Sequence, residues 1–183
     1  MTNRFQALDE YQVVKKWSYG GLFFKRAIWL IIFSPIVASS LPGTLWRKSI
    51  LRIFGAKIGT GGRIKPKLRV TLPWKLEVGN HCWLGEDIWI DNLEKVKVCN
   101  HVCISQGAYF CTGNHNYKSR KFDLMSNGIK IHSGAWIAAK AVLAPGSEIG
   151  SGAVVSLGAV VKGQVAAESI VSGNPAEFIG YRK

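Results

Sequence analysis

Large apolar residues recur every six positions along most of the chain: Ile58, Ile64 and Val70, then Val78, Leu84 and Ile90, then Val98, Ile104 and Phe110. After an interruption the beat resumes at Ile131, Ile137, Leu143, Ile149, Val155 and Val161. Steps of eight part Val70 from Val78 and Ile90 from Val98. A smaller apolar residue often takes the fifth place of a hexad, as Cys82, Val102, Ala135, Ala153 and Ala159 do. Side chains alternate across a strand, so a fifth residue and the next first residue share one face, which must be the interior. A short fixed period predicts a solenoid, because one unit cannot bury its own apolar side and neighbours must stack. Three short flat sides close a triangular coil of about 18 residues. Gly79, Gly85, Gly150 and Gly152 fall where such a coil turns its corners.

Two stretches leave the beat. Residues 1–57 lack it and form an N-terminal helical extension. Within it Leu22 to Leu41 is the most apolar run, but Lys25, Arg26, Ser34 and Pro35 interrupt it, which argues against a bilayer-spanning helix. A signal peptide also fits poorly, because the apolar run follows a polar leader containing Asp9 and Glu10. The pattern predicts one helix ending near Pro35 with Lys25 and Arg26 at its wet edge. A second is expected from Thr44 to Phe54, with Thr44 as its cap, Leu45, Trp46, Ile50, Ile53 and Phe54 as its apolar face, and Arg47, Lys48 and Arg52 opposite. These helices can plug the open end of the solenoid. Their basic, aromatic-rich surface can also rest on an anionic membrane. The other departure, 116–128, is too short for a domain and too polar for a strand, so it reads as an excursion loop from one corner.

Charge sharpens the choice of partner. Lys and Arg number 24 against 11 Asp and Glu, a net +13, which favours an anionic partner such as a phosphorylated cofactor or a lipid surface. No nucleic-acid-binding signature accompanies it. Cys99, Cys103, Cys111 and His115 look like a metal set, but the repeat puts Cys99 and Cys111 on different sides of the triangle, about 15–20 Å apart, and no metal site is expected. Cys82 reads as a core residue and the four cysteines as reduced cytosolic thiols, hence a cytoplasmic protein.

The hexads of Val98 to His115, the Thr112-Gly-Asn-His that ends them and the closing Val171-Ser-Gly-Asn-Pro-Ala resemble the hexapeptide-repeat acyltransferases. The resemblance runs from Ile58 to Ile179 and implies a left-handed parallel β-helix over 58–179, with 180–183 as a C-terminal tail. The handedness comes from the resemblance alone, since parallel crossovers are normally right-handed. It implies that His115 is the general base, an imidazole suited to take a proton from a hydroxyl at neutral pH. It further implies direct attack on acetyl-CoA with no acyl-enzyme, so Cys111 need not be a nucleophile. Asp91 and Asn92 at the bulged corner, Asp87, and Asn114 beside His115 are the candidate acceptor contacts. For Asp91 and Asn92 a plain turn pair fits equally well.

For acetyl-CoA the resemblance points to Ala138, Ala139, Gly158 and Ala159 along the pantetheine arm, Trp136 beside them, and Lys162 or Arg182 for a phosphate. Glu177 stands where the family commonly has a basic residue after the closing motif. The family is trimeric with each site shared by two chains, which implies a homotrimer here. The basic apolar extension looks like that of colanic acid and exopolysaccharide biosynthesis acetyltransferases. A saccharide acceptor is therefore expected, lipid-linked by preference, with the enzyme in the cytoplasm or peripheral on the inner face of the cytoplasmic membrane. Two other classes compete: a β-helical zinc hydratase of the carbonic anhydrase kind, disfavoured by the missing His-x4-His pair, and a non-catalytic β-helix used for binding or assembly.

Overall fold

The computed structural model describes residues 6–11 and 23–183. Positions 1–5 and 12–22 of the expected extension lie outside them. Between Lys57 and Ser172 the chain winds as a prism of three parallel sheets, whose neighbouring strands come from successive coils. The first sheet holds Lys57–Ile58, Leu76–Val78, Val96–Val98, Ile129–Ile131, Glu148–Ile149 and Gln164–Val165. The second holds Arg63–Ile64, Trp83–Leu84, Cys103–Ile104, Trp136–Ile137, Val154–Val155 and Ser169–Ser172. The third holds Arg69–Val70, Trp89–Asp91, Tyr109–Cys111, Val142–Leu143 and Val160–Val161.

The hexad beat becomes the core. Ile64, Val70, Leu84, Ile90, Ile104, Phe110, Ile137 and Leu143 are all buried, and so are Cys82, Val102, Ala135, Ala153 and Ala159 from the fifth places. At the fourth place the backbone turns left-handed, as at His81, His101, Asp87 and Lys140. Gly152 meets that demand without strain (φ 68). Gly79 serves differently: a Cβ there would lie 2.7 Å from the backbone of Cys99 in the next coil, so it is needed for close stacking.

Coil length changes at one corner only. The first sheet leads to the second in six residues in every coil, from Lys57 to Arg63, Glu77 to Trp83, Lys97 to Cys103, Lys130 to Trp136, Glu148 to Val154 and Gln164 to Ile170. The second leads to the third in six as well, from Arg63 to Arg69 through to Val154 to Val160. The return to the first sheet instead runs from Arg69 to Glu77, Trp89 to Lys97, Tyr109 to Lys130, Val142 to Glu148 and Val160 to Gln164. Those steps are eight, eight, twenty-one, six and four residues. The last is two residues short of the beat that runs to Val161.

The ends differ from expectation in three ways. The first helical stretch passes through Pro35: Phe23–Ile28 is α-helical, Trp29–Phe33 is a π-helix and Ser34–Val37 is α-helical again. A π segment shifts the hydrogen-bond partners just ahead of the proline, which cannot donate. Trp29 is fully buried, its indole N–H donates to the Val70 carbonyl at 3.0 Å, and its ring packs on Phe54 over the first coil.

The second helix, Leu45–Ile53, keeps Trp46, Ile50 and the following Phe54 against the core as expected, but part of its expected polar side is buried too. Arg47 and Lys48 point inward while Leu45 and Ile53 are 79% and 75% exposed. Backbone acceptors are the reason. Arg47 donates to the carbonyls of Val37, Ser39, Leu41 and Gly43, and Lys48 to that of Gly62 at 2.7 Å. Thr44 does not cap the helix; its hydroxyl bridges the backbone N–H and carbonyl of Ile64. At the far end Glu177–Tyr181 folds back antiparallel on Ser169–Ser172, so Gly180 and Tyr181 belong to a strand rather than a tail.

Candidate functional site

The twenty-one-residue step carries the excursion, and it is a hairpin rather than a loop. Gly113–His115 pairs antiparallel with Leu124–Ser126, with His115 opposite Leu124. Thr112 anchors its base: fully buried, its hydroxyl donates to the Asp91 carbonyl and accepts from the Glu94 N–H. The tip is tied by its own polar side chains, with Ser119 donating to Asp123 at 2.6 Å and Asn116 accepting from the Lys118 N–H. A short polar segment thus holds one shape without a core.

His115 is held on three sides. Its Nδ1 lies 2.7 Å from the Phe122 carbonyl, and the two rings are stacked with centroids 4.3 Å apart. Tyr11 meets the imidazole edge-on at 5.7 Å. A carbonyl oxygen only accepts, so Nδ1 carries the proton and the lone pair of the neutral ring sits on Nε2. The imidazole lines an open cavity of about 480 Å³ whose other walls include Asn114, Tyr117, Ser126, Asn127, Pro145 and Lys162.

Of the residues singled out in the sequence, the structure gathers His115, Asn114 and Lys162 around this cavity. Asn114 uses its side-chain oxygen to accept the His115 backbone N–H at 2.8 Å. Asp91 stands at the same edge of the third sheet, accepting from the Thr71 hydroxyl at 2.9 Å. Asn92 corrects the expectation of an acceptor contact. It is 0% exposed, and its amide accepts from the Leu72 N–H and donates to the Leu72 carbonyl, continuing the ladder where the coil bulges. Asp87 lies at the corner between the second and third sheets, paired with Arg69 at 3.4 Å.

The residues expected along acetyl-CoA are split. Ala138, Ala139, Gly158 and Ala159 occupy the corner between the second and third sheets, across the third sheet from His115 in the same chain. Ala159 turns its side chain into the core, and Ala138 is buried outside it. Trp136 lies on the second sheet, its indole donating to Ser105 at 3.0 Å. Arg182 reaches the corner between the first and second sheets, where it donates to the carbonyls of Gly134 and Gly152, so it serves the scaffold there.

The other histidines are scattered. His81 and His101 stack on each other at 5.1 Å on the surface, whereas His132 is half-buried against Glu148 at 2.7 Å. Among the described residues, no three His, Cys, Asp or Glu stand together in a way that could hold a metal ion.

Sequence reasoning missed the contribution of the N-terminus. The Ala7 N–H donates to the Arg120 carbonyl at 2.9 Å and Arg120 grips Glu10 at 2.6 Å, which lays Tyr11 against His115. The pairing of one acidic and one basic residue in two irregular segments left no periodic signal; only their complementary charge could have hinted at it.

A wound prism of three parallel sheets is the architecture of the hexapeptide-repeat acetyltransferases. The solved structures agree on the fold. The hexapeptide-repeat acetyltransferase VCA0836 of Vibrio cholerae, crystallised with acetyl coenzyme A, matches with a TM-score of 0.76 at 21% identity over 82% of this chain and 83% of that one. A maltose O-acetyltransferase of Clostridium difficile matches at 0.81 and 19% identity over 91% of each. In sequence, the chain is 37% identical over 179 residues, 97% of both proteins, to the Escherichia coli K12 protein named "Putative colanic acid biosynthesis acetyltransferase WcaF". The chain belongs to this colanic acid biosynthesis acetyltransferase family. No family model matches it.

Proposed function

We propose that the protein transfers an acetyl group from acetyl-CoA to a hydroxyl of a saccharide during the biosynthesis of an exopolysaccharide. The observation that carries this is the His115–Phe122 hydrogen bond, which leaves Nε2 as the ring's proton acceptor beside an open cavity. In the reaction Nε2 takes the proton of the acceptor hydroxyl as its oxygen attacks the thioester carbonyl. The tetrahedral adduct collapses, the C–S bond breaks, and the imidazolium returns the proton to the departing thiolate. Water is the competing nucleophile, and the stacked Phe122 ring and the edge-on Tyr11 ring shield two sides of the imidazole from it.

The same reading makes the working form a homotrimer. Across the third sheet from His115, the corner of Ala139 and Gly158 is placed to line a groove against a neighbouring copy, so that its backbone meets the pantetheine arm while the neighbour supplies His115. Lys162, exposed at the mouth of the cavity, is assigned to a coenzyme phosphate or the carboxylate of an acidic sugar. The acceptor is a lipid-linked oligosaccharide and the enzyme acts in the cytoplasm at the inner membrane face. No helix of the described residues is long and apolar enough to cross a membrane. The experiment is thiol release from acetyl-CoA across a panel of sugar acceptors, wild type against His115→Ala. Acceptor-dependent release by the wild type with equal release by the variant would remove His115 from the chemistry. No release with any acceptor would remove the reading itself.

A further inference from the structure

We propose that the helical cap is a docking surface for an anionic lipid bilayer, lying in the headgroup region without spanning it. Apart from Lys25, Arg26 and Ser34 the stretch Phe23–Val37 is apolar, with Lys25 turned over the Trp74 ring. One side, through Trp29 and Val37, closes the first coil, and the other is open, with Phe24 77% and Ile31 75% exposed. A helix with apolar residues on opposite sides belongs between apolar phases, and this one has such a phase on one side only. The neighbouring helix adds Leu45 and Ile53, left facing solvent because Arg47 and Lys48 are drawn inward by backbone carbonyls.

Charge selects the occupant. Between Glu10 and Glu77 the chain has thirteen Lys and Arg and not one acidic residue. Arg47 and Lys48 are buried, but Arg52 beside Ile53, and Arg63 and Lys65 on the first coil, are exposed, and the structure records no carboxylate partner for any of the three among the described residues. Apolar side chains set among unmatched cations are the composition of an interfacial helix on anionic lipid, each cation near the surface adding to the attraction. A saccharide carried on a lipid would then be met by an enzyme already at its surface. The proposal rests for its purpose on the reading of a lipid-linked acceptor, although vesicle binding is measured without turnover.

The test uses the full chain in flotation with vesicles of phosphatidylcholine alone and of phosphatidylcholine mixed with phosphatidylglycerol, at low and high salt. The expected result is partition into the mixed vesicles about tenfold or more above the neutral ones, lost at high salt. Phe24→Ser combined with Ile31→Ser should abolish it, while thiol release with a soluble acceptor stays unchanged. Binding to neither vesicle, or binding indifferent to the double substitution, would overturn the proposal. A change in oligomeric mass on substitution would do so too, because the face would then be covered by protein. Failure here with intact acetyl transfer leaves the enzymatic reading standing, and the converse holds as well.

Discussion

The His115 Nδ1 lies 2.7 Å from the carbonyl oxygen of Phe122, a residue in the tip of the same hairpin. The contact fixes both the tautomer and the tilt of the ring, so the hairpin is the device that orients the imidazole. Replacing His115 with Ala should lower kcat about a hundredfold or more, because no other imidazole lines the cavity. Acceptor-dependent thiol release measures it.

If the site is shared between copies, two inactive variants should restore each other. His115→Ala leaves the corner of Ala139 intact, and Ala139→Trp obstructs that corner but leaves His115. Co-expressed trimers should regain about a quarter of wild-type activity, the fraction of sites that draw an intact part from each chain. Recovery of none would place both parts of the site within one copy.

The Arg120–Glu10 ion pair helps the Ala7–Arg120 backbone bond hold Tyr11 against His115. Tyr11→Ala and Arg120→Ala should each reduce kcat/KM about two- to tenfold, the scale of one aromatic contact. Thermal stability should barely move, since the ion pair is exposed. A rate unchanged in both variants would separate residues 6–11 from the site.

Asn92 is a scaffold residue, and its replacement should read as one. Asn92→Ala leaves the buried N–H and carbonyl of Leu72 without their partner and should cost about 1–3 kcal/mol in stability by urea denaturation. Acceptor KM in the folded fraction should stay near that of the wild type.

Acid should loosen the first sheet through Glu77, and only well below neutral pH. Lys95 and Lys57 hydrogen-bond Glu77 at 2.8 and 2.9 Å and draw its carboxyl from the ordinary 4.5 down to about 2. A carboxyl depressed by folding stabilises above its unfolded value, and the contribution is lost as pH falls from 4.5 towards 2. The advantage of the wild type over Glu77→Gln in urea midpoint should therefore be full at neutral pH, shrink across that window and weaken with salt.

The fold was legible because its cause is periodic: each apolar residue at the first or fifth place of a hexad became part of one stacked interior. What escaped reading has non-periodic causes. Arg47 and Lys48 look like a solvated face until the carbonyls of Val37, Ser39 and Gly62 are set beside them, and backbone acceptors leave no mark in a sequence. The strand Leu124–Ser126 is polar at its edge and forms only because His115 and its neighbours pair with it. Asn92 looked like a ligand contact for the property that made it useful inside, an amide that both donates and accepts.

Every gain or loss of residues between coils falls at a single edge of the prism, the edge that bears the hairpin. A hairpin of another length or composition could be spliced in there without sliding one strand against another. Acceptor preference in such a molecule can be rewritten while the winding is kept. Grafting a foreign hairpin between Thr112 and Ile129 would change what the enzyme accepts before it changes whether the enzyme folds.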